Sequence, residues 1–203
     1  MPNWYKKTES YVTGKKEVFE DSINETIKKC IPVFDAITTG YILYTQVDID
    51  VSEKNGMPYY HWPSQDAINF HPIQQAPLHP LQNGYPYPKW NNPYAIITPP
   101  GYSILCVPPL HRDSVFEVLP GIVDTDTYIT PINFPFILKD PNWTGIIPAG
   151  TPMAQIIPFK RQSFKMKMGN QKDVDKSLYN LIRLKTKIFN RYKTLFWQRK
   201  EYK

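Results

Sequence analysis

Apolar positions alternate along most of this chain and take up helical spacing only near the C-terminus. Residues 23–30 alternate loosely and run through Pro32 into Phe34, Asp35 and Ala36, which predicts a strand followed by a turn. Residues 41–51, YILYTQVDIDV, form the best strand pattern of the first half. Val47, Ile49 and Val51 share one face there, and Asp48 and Asp50 share the other. Such an acidic pair suits either a metal ion or a solvated strand face. Further strands are expected at 94–97 and 102–107, on either side of a turn at Pro99-Pro100-Gly101, and from 115 to 119. Pro131 and Pro135 flank Ile132-Asn133-Phe134, so that strand is expected at an edge or bulged, not central. Ile146 and Ile147 end at the turn Pro148-Ala149-Gly150, after which Met153, Ala154, Ile156 and Ile157 read as a buried strand.

From Asp173 the period changes. Val174, Leu178, Leu181, Lys185, Ile188, Tyr192 and Leu195 follow alternating spacings of four and three, which predicts an amphipathic helix within residues 170–203. Asp173 is its expected cap, and Asp175 favours the first turn. The apolar stripe must dock on the β body or on another subunit.

Two segments have no sustained period. Residues 1–22 read as an N-terminal arm that Trp4 and Tyr5 could anchor. Residues 55–92 are dense in Pro, Tyr, Trp and Gln and open on the hairpin-turn pair Asn55-Gly56. They read as a loop-rich surface insertion that wraps a neighbouring subunit, within a β domain spanning residues 23–165.

Composition supports a globular, mainly β protein: of 203 residues 41% are hydrophobic and 21% charged, and the 21 prolines and 14% aromatics favour strands and rigid loops. Cys30 and Cys106 are too few for a disulfide framework and read as buried, inert thiols. No apolar run approaches the roughly 20 residues that span a bilayer. The N-terminus lacks the apolar segment of a secretory signal, so a soluble protein of a reducing cytoplasm, with no membrane partner, is expected. The net charge of +6 is uneven, with 14 Lys and Arg against 3 acids in residues 160–203. A basic tail of this kind suggests nucleic acid or an acidic protein surface as partner, through Arg183, Lys187, Arg191 and Lys193 on the helix.

Candidate chemistry concentrates between Gly121 and Arg161. Ile122 and Val123 lead into Asp124 and Asp126, two carboxylates two positions apart on one side of an extended segment. They suit general-base chemistry or an architectural turn in which Asp side chains bond nearby backbone N–H groups. His61, His71 and His79 match no metal-ligand spacing and are expected to bond or stack within the Pro-rich segment, so no metal is assigned.

Gly121-Ile122-Val123-Asp124-Thr125-Asp126-Thr127-Tyr128, Gly150-Thr151-Pro152-Met153-Ala154-Gln155-Ile156-Ile157, Pro99-Pro100-Gly101-Tyr102 and Thr39-Gly40-Tyr41-Ile42-Leu43 occur in an order that resembles the trimeric dUTPase family. The resemblance covers residues 34–161 and implies a dUTPase-like β-clip or jelly-roll-like barrel, here with a C-terminal amphipathic α-helix, and a homo-oligomer, in that family a trimer. It also implies catalytic and nucleotide-binding roles. Asp124 would activate the water, Tyr128 would cover sugar and base, and Asp126, Gln155 and Arg112 are further nucleotide-binding candidates, with Mg²⁺ required only for that hydrolysis. The chain departs from the pattern at Ile42, where the family has Asp. Pro108-Pro109-Leu110-His111-Arg112-Asp113 replaces the phosphate-binding segment, Tyr128 sits one residue late, and no Gly-rich C-terminal arm follows. The expectation is therefore a non-enzymatic dUTPase-fold protein serving assembly or binding, with dUTP hydrolysis to dUMP and pyrophosphate and nucleic-acid binding as the alternatives. The chain also resembles an uncharacterised family of tailed phages and some bacteria, which implies a virion component or accessory protein and other virion proteins as partners.

Overall fold

A computed structural model of the chain describes residues 1–19, 22–63, 67–75, 78–80, 84–186 and 191–202. In chain order its elements are α1 (Asn3–Lys7), β1 (Val18–Phe19), β2 (Ser22–Ile23), α2 (Ile31–Thr38), β3 (Tyr41–Tyr44), β4 (Ile49–Lys54), β5 (Met57–His61), β6 (Ile68–His71), β7 (Tyr87–Ala95), β8 (Tyr102–Val107), β9 (Phe116–Val118), β10 (Gly121–Val123), β11 (Pro131–Leu138), β12 (Gly145–Ile147), β13 (Pro152–Lys160), α3 (Gln171–Thr186) and α4 (Arg191–Leu195). The protein is mainly β, its sheets are antiparallel, and helix closes the C-terminus. It forms two units, residues 40–161 and residues 1–39 with 162–203, so the β body begins at Gly40 and not at residue 23.

The body holds sheets of order β10-β8-β13-β3, β6-β7-β11-β9 and β12-β4-β5. Apolar residues from all three meet in one core. At its centre Trp90 stacks on Phe136 with ring centroids 4.4 Å apart, and Phe116 and Tyr60 pack edge-on to Phe136 at 5.5 and 5.8 Å. Ile104 and Cys106 of β8 and Met153, Ala154 and Ile156 of β13 are buried in the same core. Burial pushes the Cys106 thiol up to about 11, so it stays protonated and inert, whereas Cys30 is half-buried.

Residues 41–51 are not one strand. Thr45 is buried, its N–H donates to Thr151 O at 2.9 Å, its Oγ1 donates to Pro148 O at 2.9 Å, and its carbonyl accepts from Gly150 N at 2.8 Å. These bonds to the Pro-Ala-Gly turn end β3, and the chain resumes as β4 in another sheet. The expected division of faces survives in β4, where Ile49 and Val51 are buried and Asp50 is exposed.

The Pro-rich stretch is likewise not a surface excursion. It supplies β5, β6 and most of β7, with Tyr60, Ile68, Tyr87 and Trp90 buried. β7 pairs with β6 on one side and β11 on the other. Between Asn91↔Asn133 and Ala95↔Pro131 it carries extra residues, and Pro93 sits in this bulge where no ladder donor is required. The Asn92 side chain stitches the bulge, donating to Tyr94 O at 2.6 Å and accepting from Tyr94 N at 3.4 Å. β11 faces this bulge and is internal, so the expected edge or bulged strand is instead a central one: Pro135 lies where pairing passes from β7 to β9.

In the other unit, residues 23–30 are not the expected strand. A 3-10 turn, Ile27–Lys29, capped by Thr26, precedes α2, and Pro32 stands in the first turn of that helix, where its missing N–H costs nothing. Tyr5 anchors the N-terminal arm, its hydroxyl donating to Lys28 O at 2.9 Å. The C-terminal helix appears as α3 and α4 among the described residues. Its cap is Asn170, not Asp173: Asn170 Oδ1 accepts from Lys172 N at 3.0 Å, while Asp173 Oδ2 reaches back to Asn170 N at 2.9 Å, a reciprocal capping box.

The acidic corner as candidate functional site

β10 pairs with β8 from Gly121↔Cys106 to Val123↔Ile104 and so delivers Asp124 beside the start of β8. There the strand ends in a turn, with Tyr128 N donating to Asp124 O at 2.9 Å and Thr127 N to the same carbonyl at 3.2 Å. Thr125 fixes the turn from within. It is fully buried, and its hydroxyl lies 2.8 Å from that of Thr98, whose own proton goes to Tyr102 O at 3.1 Å. One hydroxyl carries one proton, so Thr125 is the donor of the pair.

The turn faces the end of β13. Arg161, the next residue, donates its backbone N–H to Gly101 O at 2.8 Å. Its Nη1 lies 2.9 Å from Asp126 Oδ1, 3.0 Å from Ser103 Oγ, 3.1 Å from Tyr102 O and 3.2 Å from Asp124 Oδ1, and its Nη2 pairs with Asp126 Oδ2. Gly101 N donates to Asp126 Oδ2 at 2.8 Å, and Ser103 Oγ donates to Asp124 Oδ1 at 2.6 Å. The Arg161 hydrogen bonds, then the Gly101 N–H, hold the Asp126 carboxyl down at about 2, and Asp126 in return raises Arg161. The Asp126 side chain is 6% exposed, that of Asp124 59%.

Two carboxylates against one guanidinium leave the corner with a net charge of −1. That repels a triphosphate, and Arg161 is already engaged by Asp126 in the bidentate fork geometry it would use for a phosphate. Asp124 keeps an exposed carboxylate, but its Oδ1 already accepts from Ser103 and pairs with Arg161.

The other sequence candidates lie elsewhere. Gln155 is fully buried at the opposite end of the β8–β13 pair, six residues or about 20 Å along the strand from Arg161, and its Oε1 accepts from Leu110 N at 2.9 Å. It anchors the loop that contains Arg112, whose buried Nε has no hydrogen-bond partner. Tyr128 is 53% exposed at the end of the acidic turn. Sequence reasoning missed Arg161 and Ser103. The signal was present, since Arg161 is the first arginine after the last strand and that strand pairs with the one carrying Ser103.

On the C-terminal helices, Arg183 lies over the rings of Tyr179 and Phe196 at 5.8 and 5.9 Å, and Lys193 over Trp197 at 5.7 Å. Arg191 begins α4, and Lys187 lies outside the described residues. His71 Nδ1 bonds Gln75 Oε1, and His79 packs edge-on to Tyr87 at 6.0 Å. Asp48 and Asp50 do not act as a pair, because Asp48 Oδ1 accepts from Ala149 N at 2.7 Å while Asp50 is exposed. Among the described residues no group of three His, Cys, Asp or Glu could hold a metal, and no helix is long and apolar enough to cross a membrane. Compared with protein-family models, with curated proteins and with solved structures, the chain matches none.

Proposed function

We propose that the chain is a non-enzymatic protein of the dUTPase-like β-clip class that serves assembly or binding and does not hydrolyse nucleotides. The observation that carries this reading is the closure of the acidic corner on itself. Asp126 and Arg161 neutralise one another, Ser103 is bonded to Asp124, and Gln155 holds a loop at the far end of the sheet. A hydrolase of that class needs free cationic groups on the phosphates and a carboxylate poised on water. In this reading copies of the chain associate, as the trimer of the resembled family or as part of a phage virion. Exposed apolar groups support it: Phe164, Met166 and Met168 are 87%, 91% and 91% exposed, and α3 buries no residue.

Incubation with dUTP and Mg²⁺ is expected to release no pyrophosphate, from the native protein or from Asp124→Asn. Release that Asp124→Asn abolishes would establish the hydrolase instead. Native mass measurement is expected to show more than one copy, and a monomer at all concentrations would remove the self-assembly half of the proposal.

A further inference from the structure

The body holds a cavity of about 450 Å³ beside the turn of the β4–β5 hairpin, a size suited to a small organic ligand. Its walls are rings. Tyr59, Phe70 and Tyr85 line it with Pro86 and Pro88, and Tyr60, Tyr87 and Leu138 connect it to the core. Tyr85 is held in place by its hydroxyl, which donates to Gly56 O at 2.8 Å across the hairpin turn.

Besides Asn55 in the turn, the lining includes the polar-tipped Tyr87 and Lys54. Tyr87 is 3% exposed, and its hydroxyl is buried without a hydrogen-bond partner. That hydroxyl is left unmet, and an acceptor bound in the cavity would satisfy it once a side chain of the lining moves aside. Burial also pushes the Tyr87 phenol up, so it keeps the proton it would donate. The second group is Lys54, whose Nζ sits 5.0 Å over the Tyr59 ring. Among the described residues no Asp or Glu lines the cavity and Lys54 forms no ion pair; the nearby Glu53 carboxylate accepts from Gly56 N in the hairpin turn. The cavity therefore offers ring faces and one positive charge, with an unused donor just behind its lining.

We propose that this cavity binds a planar aromatic anion, its ring among Tyr59, Phe70 and Tyr85, its charged group at Lys54, and an acceptor atom on the Tyr87 hydroxyl. This site is separate from the acidic corner and does not depend on the assembly reading. Stacking on tyrosine faces selects the ring, and the cation selects the charge.

The test is a fluorescence titration of the full-length protein with 8-anilinonaphthalene-1-sulfonate, an aromatic anion. Saturable enhancement is expected, displaced by benzoate but not by sulfate, which brings charge without a ring. Lys54→Gln is expected to weaken the dye about tenfold, the loss of one charge-assisted contact. Tyr87→Phe keeps the ring and removes only the hydroxyl, so it is expected to weaken the dye by about threefold or more while the thermal midpoint stays level or rises. Equal binding by native protein and both variants would place the dye on other apolar groups such as Phe164 and Met166 and overturn the proposal. Displacement by sulfate, or no enhancement at all, would overturn it as well.

Discussion

Arg161 and Asp126 form a two-point pair across 35 residues of sequence, with Nη1 2.9 Å from Oδ1 and Nη2 against Oδ2, and this pair ties the acidic turn to the end of the last strand. Its pH behaviour follows from its sign. The folded Asp126 carboxyl titrates at about 2, below its ordinary value of 3.8. Its contribution to stability is therefore fully present above the unfolded value and is lost as pH falls from about 4 toward 2. Asp126→Asn is expected to lower the urea midpoint at pH 7 and to converge on the native protein near pH 2. The measurement is a set of urea melts at pH 7, 4 and 2.5, and a gap of constant size across them would contradict the assigned role.

Gly40 and Ile156 give a second prediction, steric in origin. Gly40 has φ of +64°, and a Cβ there would lie 2.0 Å from the Ile156 carbonyl oxygen, in the pairing of β3 with β13. Gly40→Ala carries both the left-handed backbone penalty and a collision with backbone that cannot move alone. A loss of more than about 2 kcal/mol is expected. Gly150 is the control, since its φ of +80° is equally left-handed but a Cβ would meet nothing within 4 Å. Gly150→Ala should cost only about 1–2 kcal/mol, the backbone term alone. Equal losses by denaturant melting would show that the close approach at Gly40 carries no weight.

Asp35 makes the third prediction. It accepts from Trp197 Nε1 at 2.9 and 3.1 Å and from Lys200 Nζ at 2.6 Å, and the neighbouring Thr39 hydroxyl lies 2.6 Å from that of Tyr202. These bonds fasten residues 197–202 to the end of α2. Asp35→Ala is expected to release the terminal segment, read as faster limited proteolysis after Arg199 and Lys200 with the melting of the β body unchanged. Unaltered cleavage would mean that other contacts hold the terminus.

The apolar strands bounded by Pro/Gly turn signals were legible: β8 after Pro99-Pro100-Gly101, and β12 and β13 on either side of Pro148-Ala149-Gly150, fall where the pattern puts them. What failed had a non-local cause. Thr45 looks like one more polar position in an alternating run, and nothing near it announces a bond to Pro148, 103 residues on, that ends the strand. Pro88 and Pro93 read as loop markers, yet β7 places Pro88 opposite Phe70 and Pro93 in a bulge closed by Asn92. By sequence alone Arg161 reads with the basic tail, as charge offered to an outside anion. Its acceptors are instead Asp124 and Asp126, the two carboxylates of the corner itself. Residue type located half of the corner, and only strand register could supply the other half.

Gln155 separates an architectural from a catalytic role most directly. Its side chain is fully buried, and Oε1 receives the Leu110 N–H at 2.9 Å, fixing the loop after β8. Gln155→Leu has similar bulk but no acceptor, so Leu110 N is left unmet inside the protein. The expected loss is about 1–3 kcal/mol, the cost of one orphaned buried donor. Hydrogen exchange localises it: the Leu110 amide should lose protection while the β4–β5 pairing retains its own. Gln155→Glu restores an acceptor in the same place but adds a charge inside the core, so it should keep the Leu110 bond at neutral pH only at the expense of further stability. If Gln155→Leu instead left the melt and the Leu110 amide unchanged, the loop would be held by other means, and a fully buried glutamine would need another explanation, a ligand among them.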